Sequence, residues 1–302
     1  MSLCFGRSTI GRPYIIGHRG ASAGYPENTV LSIEQAIVEG ADGIEFDIQK
    51  TADNQIIVHH DEVLDRTTTG SGRVSSFPYY GVIEHLTTKS HPQCPIPRLD
   101  DVIHVMMKPE NSHVFAVIDI KPNNDPTIIA ILADILKKYS DDVSIFKSRL
   151  SLGIRHTLFL PYCHSYLHQI PIMHIGSSLD IAQTYFPDVA GYNLTHVSLS
   201  GSRGRSFIDN AHAKGQSIFA WVVNRNGLYS DCRRWGVDGV LTDKNKDFVN
   251  MYGKNGKWDE NENILNWIGR MMRGWFYAIA RVVIHHVVIR RLKKYGELKK
   301  VD

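Results

Sequence analysis

Short apolar runs alternate with longer amphipathic stretches along most of the chain. The first run, 14–16, is a tyrosine followed by two isoleucines, and aromatic or β-branched runs of this length are typical of strands. The stretch at 29–39 places Val30, Ile33 and Ile37 on one face of a helix. The same reasoning predicts strands at 14–16, 43–49, 114–120, 149–154, 170–176, 191–198, 217–223 and 239–241, and helices at 29–39, 126–139, 156–168, 179–186, 206–214, 228–235 and 245–251.

This order of elements predicts an α/β fold. Strands that alternate with helices form parallel sheets, and eight such units close into a (β/α)8 TIM barrel, which we place over residues 13–251. Residues from about 50 to 113 interrupt the alternation, so we predict a small insertion after the second strand. We expect a polar linker at 252–263 and a separate C-terminal tail at 264–302.

Composition agrees with a folded domain, and charge changes the picture only at the C-terminus. Hydrophobic residues make up 43% and charged residues 22% of the 302 residues, which argues against a disordered chain. The formal net charge is +3, but residues 264–302 hold nine Lys or Arg against two acids, so the rest of the chain is mildly acidic. This distribution argues against nucleic acid as a partner and predicts an anionic membrane surface instead.

The tail is apolar but interrupted by charge. Arg270, Arg273 and Arg281 fall on one side of a helix drawn through 264–289, and apolar residues such as Phe276 lie opposite. The stretches between the cations are shorter than the roughly 20 residues that span a bilayer. The pattern predicts a basic amphipathic helix in the membrane interface, and the alternative is a helix packed on the barrel. Four cations follow it: Arg290, Arg291, Lys293 and Lys294.

The cysteines and the first 12 residues indicate in which cellular compartment the protein is expected. The cysteines are scattered without zinc-site spacing, which favours reduced thiols in a cytosol-facing protein. The first 12 residues lack the apolar run of a secretory signal, so secretion is not expected. Together with the tail, this predicts a cytosol-facing, membrane-associated protein at the mitochondrion, endoplasmic reticulum or lipid droplet. The cysteines are Cys4, Cys94, Cys163 and Cys232.

Polar residues that can carry chemistry follow three of the apolar runs. Glu45 and Asp47 are two residues apart in the second predicted strand, so both carboxylates project from one face. Two acids side by side on a buried face are unfavourable unless a cation holds them. Arg19 offers a fork that can grip phosphate, and His18 and His60 titrate near neutrality, so they can transfer protons. This set indicates metal-assisted phosphoester chemistry.

Five short motifs occur in order between residues 18 and 67: His18-Arg19-Gly20, Pro26-Glu27-Asn28-Thr29, Glu45-Phe46-Asp47, His60-Asp61 and Leu64-Asp65-Arg66-Thr67. In order and spacing they resemble the glycerophosphodiester phosphodiesterase family, which also carries a small subdomain after the second strand. Within that family the chain is most similar to the fungal phosphatidylglycerol phospholipase C branch. The segments 118–121 and 178–182 and the hydrophobic tail carry this finer resemblance.

Together with the chemistry of the residues, the resemblance implies a metal site and a proton-transfer pair. Glu45, Asp47 and Asp119 are the predicted ligands of one divalent cation, and carboxylates without thiolate or imidazole favour Mg²⁺ or Ca²⁺. The family usually has glutamate at the third position, and Asp119 is one methylene shorter. His18 and His60 are the predicted catalytic pair.

The resemblance also implies substrate-binding residues. Arg19 and Lys121 are predicted to bind the phosphate, and Trp221 to form an apolar wall for the glycerol or lipid portion. Glu27 is predicted to support the site from behind, and also lies at a helix start that Asn28 or Thr29 caps.

We therefore expect a metal-dependent phosphodiesterase of phospholipase C type. Its substrate would be a glycerol-headed phospholipid, phosphatidylglycerol, cleaved to diacylglycerol and glycerol phosphate. The alternative is a glycerophosphodiester phosphodiesterase that acts on soluble deacylated phospholipids and releases glycerol 3-phosphate and an alcohol. A catalytically inactive lipid-binding barrel is disfavoured, because the acids and histidines of the motifs are intact.

Overall fold

The computed structural model describes residues 11–253, 277, 280 and 283–300. Its sheet has nine strands: β1 (Tyr14–His18), β2 (Gly43–Lys50), β3 (Ile56–Val58), β4 (Phe115–Ile120), β5 (Leu150–Ile154), β6 (Ile172–Gly176), β7 (Gly191–Thr195), β8 (Ser217–Trp221) and β9 (Gly239–Thr242). Eight of them are parallel and close into a barrel, since β1 pairs with both β2 and β9. The short β3 pairs antiparallel with β2. The predicted TIM barrel is confirmed.

Helices cover the outside of the barrel: α1 (Val30–Val38), α2 (Leu99–Met107), α3 (Ile128–Lys137), α4 (Leu160–Tyr166), α5 (Leu179–Tyr185), α6 (His196–Leu199), α7 (Gly201–Ala213), α8 (Asn226–Trp235) and α9 (Asn245–Gly253). Several predicted elements are shorter in the structure, and for two of them the reason is evident. The helix predicted at 156–168 is a 3-10 turn, Thr157–Phe159, followed by α4, whose first turn accommodates Pro161. The strand predicted at 191–198 ends at Thr195, where α6 begins.

The segment predicted as an insertion, 50–113, contains a barrel helix that the sequence interpretation missed. Helix α2 contacts α1 and α3 and fills the place after the second barrel strand. Its first turn has a capping interaction that the sequence could have indicated. The backbone N–H of Arg98 donates to the carboxylate of Asp101, three residues later (2.9 Å). The insertion proper lies between β3 and α2 and has an apolar cluster of its own, made by Ile57, Leu64, Val74, Ile83 and Ile96.

Alternation along the strands divides the core into two layers. Side chains such as Ile44 and Phe46 of β2 point outward into the layer between sheet and helices. Their neighbours in sequence, Glu45 and Asp47, lie on the opposite face, inside the barrel. Below them an apolar cluster fills the barrel interior: Ile16, Phe115, Val117, Met173, Ile175, Ala190, Phe219 and Leu241. The barrel therefore has a closed floor and a polar mouth at the carboxyl ends of its strands.

The described part of the tail packs on the barrel. Residues 283–293 are helical, and Leu292 is 7% exposed against the outer core layer. His285 is hydrogen-bonded to Ser178 (Nδ1 to Oγ, 2.7 Å), and the backbone N–H of Lys299 donates to Thr157 Oγ1 (3.2 Å). For these residues the packed-helix alternative describes the arrangement. The predicted linker beyond α9 and most of the predicted amphipathic stretch lie outside the described residues. Among the residues that are described, no helix has the length and apolar character to cross a membrane.

Candidate active site

A cavity of about 550 Å³ lies at the mouth of the barrel. Every predicted site residue except Glu27 lines it: His18, Arg19, Glu45, Asp47, His60, Asp119, Lys121 and Trp221. Parallel strands bring their carboxyl ends to one rim, which is why residues up to 203 positions apart in the sequence meet here.

The three predicted metal ligands form one buried cluster. Strand register places Asp47 of β2 directly beside Asp119 of β4, and Glu45 precedes Asp47 on the same face. Glu45 is 2% exposed, and Asp47 and Asp119 are each 1% exposed. Carboxylate oxygens of the three residues lie within 4.8 Å of one another. Alternation predicted that Glu45 and Asp47 share a face, and the family resemblance added Asp119. The three carboxylates form a cluster whose oxygen ligands suit a divalent cation.

Basic side chains compensate part of this negative charge. Lys121 Nζ lies 2.5 Å from Asp47 Oδ1 and 2.7 Å from Asp119 Oδ2. Arg155, which the sequence interpretation missed, lies 2.8 Å from Asp119 Oδ2 and 5.4 Å from the centre of the Trp221 ring. The sequence feature that could have identified Arg155 is its position directly after β5, since functional groups collect at the carboxyl ends of barrel strands.

The cations do not act equally on the three carboxylates. Burial would raise the pKa of Asp47, but Lys121 and then His60 and Arg19 outweigh it and hold that pKa well below its usual range. The pKa of Asp119 is lowered in the same way, by Arg155 and Lys121 against the effect of burial. Burial, followed by the charge of Asp47, raises the pKa of Glu45 to about 7. The protein's own cations thus leave Glu45 poorly compensated, which fits a cluster that takes a further cation.

Arg19 is held in place to present its guanidinium to the cavity. Its backbone N–H donates to Glu45 Oε2 (3.1 Å), and its Nη1 donates to Glu27 Oε1 (2.9 Å). Glu27 is itself gripped by Arg66, whose two terminal nitrogens reach both of its oxygens at 2.7 and 2.9 Å. The Nε of Arg19 lies 3.4 Å from Asp47 but makes no hydrogen bond in the described structure. That nitrogen is buried, and it is because Arg19 lines the cavity that its guanidinium is placed where a phosphate could bind.

Asn28 is a second residue whose role the sequence did not reveal. Its side-chain nitrogen donates to Asp47 Oδ2 (2.8 Å), and its side-chain oxygen accepts the backbone N–H of Asp47 (3.2 Å). Thr29 is the residue that caps α1, because its hydroxyl accepts the N–H of Ser32. Of the two proposed caps, Asn28 instead fixes the orientation of a carboxylate in the cluster.

His18 is oriented by an acid from the far end of the barrel sequence. Its Nδ1 donates to Asp243 Oδ1 (2.7 Å), and Asp243 also accepts from Ser22 and from Asn224. Burial alone would lower the pKa of His18, but the hydrogen bond to Asp243 and the charge of Glu45 raise it above its ordinary value. The pKa of Asp243 falls to about 2 because the interactions with His18 outweigh burial. This arrangement favours a protonated His18 near neutral pH.

The pKa of His60 is shifted in the opposite direction. Its Nδ1 donates to Asp61 Oδ1 (2.6 Å), and Asp61 is in turn held by Arg66 Nε (2.5 Å). Burial dominates and lowers the pKa of His60, so the neutral imidazole is favoured. The neighbouring His59 donates from Nε2 to the backbone oxygen of Val63 (3.0 Å) and does not line the cavity. Of the two adjacent histidines, only the predicted catalytic residue His60 lines the cavity.

The Asp243 contact yields a testable pH effect. Asp243→Asn removes a negative charge that raises the pKa of His18, so the alkaline limb of the kcat/KM profile should move toward acidic pH by about one unit. The matched control is Ser22→Ala, which removes a different hydrogen bond to the same carboxylate and keeps its charge. An unmoved alkaline limb in Asp243→Asn would show that His18 does not set that limb.

Comparisons with known proteins indicate one family. The profile of the "Glycerophosphoryl diester phosphodiesterase family" matches residues 18–246. The chain is 30% identical over 251 residues to a glycerophosphodiester phosphodiesterase of Bacillus subtilis (strain 168), covering 75% of this chain and 82% of that protein. A glycerophosphodiester phosphodiesterase of Bacillus altitudinis is 28% identical over 241 residues, with 76% and 94% covered.

Solved structures agree on the fold. An Oleispira antarctica phosphodiesterase, solved in complex with the product sn-glycerol-3-phosphate, superposes with a TM-score of 0.67 at 20% identity, covering 79% of this chain and 96% of that one. The family profile spans most of the chain and includes all the residues that form the carboxylate cluster and the histidine pair. The chain therefore belongs to the glycerophosphoryl diester phosphodiesterase family and is an enzyme of the phosphoric diester hydrolase class.

Proposed function

We propose that the protein hydrolyses glycerophosphodiesters to glycerol 3-phosphate and an alcohol. The observation that carries this proposal is the convergence of three carboxylates, a phosphate-gripping arginine and two oppositely biased histidines on one cavity. The names of the two Bacillus relatives support it, and so does the product bound to the Oleispira antarctica enzyme.

Glu45, Asp47 and Asp119 would hold one divalent cation, Mg²⁺ or Ca²⁺. The fit rests on their all-oxygen donor set, their close approach and the raised pKa of Glu45, which marks uncompensated negative charge. A cation bound there would polarise a phosphoryl oxygen and stabilise the charge that develops on it. Arg19 and Lys121 would orient the phosphate on either side of the cluster.

The pKa of His18 is raised and that of His60 is lowered, so we assign His60 as the general base and His18 as the general acid of the first step. Neutral His60 accepts the proton of the glycerol hydroxyl next to the ester as that oxygen attacks phosphorus. Protonated His18 donates to the oxygen of the alcohol as its bond to phosphorus breaks, which leaves a cyclic phosphate. Water then opens the ring: His18 takes the proton of the water and His60 returns its proton to the ring oxygen. Attack within one molecule has a large orientation advantage.

The finer function, cleavage of membrane-borne phosphatidylglycerol, is a second candidate. The observation that favours it is the tail, which exposes Val283 by 60% and Val287 by 43% next to the four cations from Arg290 to Lys294. Exposed apolar side chains beside basic ones suit an anionic membrane surface. In this version the protein would sit on a cytosol-facing membrane, and diacylglycerol would be the leaving alcohol.

A substrate panel separates the two candidates. Purified full-length protein would be offered glycerophosphoglycerol, glycerophosphocholine and phosphatidylglycerol vesicles, each with Mg²⁺ and with Ca²⁺. Release of glycerol 3-phosphate from the soluble diesters supports the first proposal. Release of diacylglycerol with no turnover of either soluble diester replaces it by the second. Absence of turnover on all three substrates would overturn both.

A further inference from the structure

The described tail is part of the wall of the catalytic cavity. Val288, Arg291, Leu292, Lys294 and Tyr295 line the same cavity as His18 and Glu45. The family match ends at residue 246, so these residues come from outside the shared barrel. A feature of this chain that its family profile does not cover therefore borders the reacting groups.

Contacts along its length hold this wall against the barrel. His285 is hydrogen-bonded to Ser178 after β6, and His156 after β5 donates from Nε2 to the backbone oxygen of Gly296 (3.2 Å). Between these contacts Leu292 packs against the core. The helical segment and the non-helical residues after it are thus fixed relative to the carboxyl ends of two barrel strands.

The charge of the wall is unbalanced. In the described part of the chain, neither Arg291 nor Lys294 forms an ion pair with a carboxylate, although both line the cavity. The two lining acids outside the carboxylate cluster are already paired, Asp61 with Arg66 and Glu62 with Arg73. The tail therefore contributes two positive charges, those of Arg291 and Lys294, to the side of the cavity that it lines.

The cavity also has room for a ligand larger than glycerol phosphate. Its volume of about 550 Å³ lies within the range of pockets that enclose drug-sized molecules. If the phosphate sits at the carboxylate cluster, the remaining space, bordered by the tail, receives the alcohol of the diester.

We infer that residues 283–300 form a substrate-selecting wall, in which Arg291 and Lys294 favour glycerophosphodiesters with a neutral or anionic alcohol over those with a cationic alcohol such as choline. Like charges across a binding site oppose association, and opposite charges or polar groups do not. The inference rests on the proposed glycerophosphodiesterase function and specifies its substrate class.

The test compares two double variants with equal loss of charge. Arg291→Gln/Lys294→Gln removes the cations that line the cavity. Arg290→Gln/Lys293→Gln removes two exposed cations of the same helix that do not line it. Each is made in a His60→Ala background, which slows turnover by about 10²- to 10⁴-fold. Kd for glycerophosphoglycerol and for glycerophosphocholine is then measured by calorimetry with Mg²⁺ or Ca²⁺ present. Both ligands are water-soluble, so membrane binding does not contribute.

In the chain with an unaltered wall, glycerophosphoglycerol should bind more tightly than glycerophosphocholine. The lining double variant should reduce that preference about fivefold, the size expected for two solvent-exposed charges, and the effect should shrink in high salt. The matched control should change the preference by less than about twofold. An equal change in both variants, or none in the lining variant, would overturn the inference. Turnover by the wild-type enzyme is assayed separately, so loss of the proposed function and loss of the selecting wall give different results.

Discussion

Replacing His60 with alanine should lower kcat for glycerophosphoglycerol by about 10²- to 10⁴-fold, the usual contribution of a positioned acid or base. His60 is partly exposed at the cavity and contributes little to the core, so the thermal unfolding midpoint should stay near that of the wild type. His18→Ala should have an effect of similar size, because proton donation to the leaving alcohol fails. Steady-state kinetics and a thermal melt of each variant check both expectations.

The neighbouring histidine provides a matched control. His59 is adjacent in sequence and buried, yet its imidazole bonds to a loop carbonyl and lies away from the cavity. His59→Gln should therefore leave kcat near its wild-type value while lowering the unfolding midpoint. If His60→Ala retained a near-normal rate, or His59→Gln lost it, the assignment of the general base would be wrong.

Replacing Glu45 with glutamine should remove most of the metal response. Glu45 keeps the least compensated charge in the cluster, so its loss should weaken cation binding more than the loss of a paired acid would. We expect kcat to fall about 10²- to 10³-fold, as when one electrostatic stabiliser of a transition state is removed. We also expect the rise in unfolding midpoint on addition of Mg²⁺ or Ca²⁺ to shrink, since a ligand that binds only the folded state stabilises it.

A second carboxylate on the same cavity serves as the control for Glu45. Glu62 lines the cavity but is paired with Arg73 and lies outside the cluster. Glu62→Gln should keep both the metal-dependent shift in midpoint and the rate. Chelation followed by dialysis should reproduce the Glu45→Gln loss in the wild type, and added cation should reverse it. Full activity in the dialysed, chelator-treated enzyme would remove the metal from the proposal.

Local periodicity was enough to predict the core of the site. Glu45 and Asp47 share a face because side chains alternate along any strand, whatever the strand pairs with. His18 and Arg19 lie at the rim because they directly follow a short apolar run, and the count of such runs predicted a closed barrel. These features depend on neighbours in sequence, so the order of residues was sufficient to find them.

The partners of these residues could not be predicted in the same way. Arg155 reaches Asp119 across 36 positions, and His18 meets Asp243 across 225. Which of the many charged residues pair depends on strand register and on the closure of the barrel, and both are set by packing of the whole sheet. The direction of the histidine pKa shifts follows from those pairings and from burial, so it too required the folded structure.

The tail also separates what the sequence predicted from what only the folded structure decided. Its amphipathic pattern predicted a helix with one apolar face, and residues 283–293 are helical. The pattern did not say what that face would contact, because burial of apolar area is non-directional and favours a membrane and a protein surface alike. Only the tertiary structure placed Leu292 against the barrel core and Arg291 at the catalytic cavity, since specific hydrogen bonds at His285 and Gly296 fix that position.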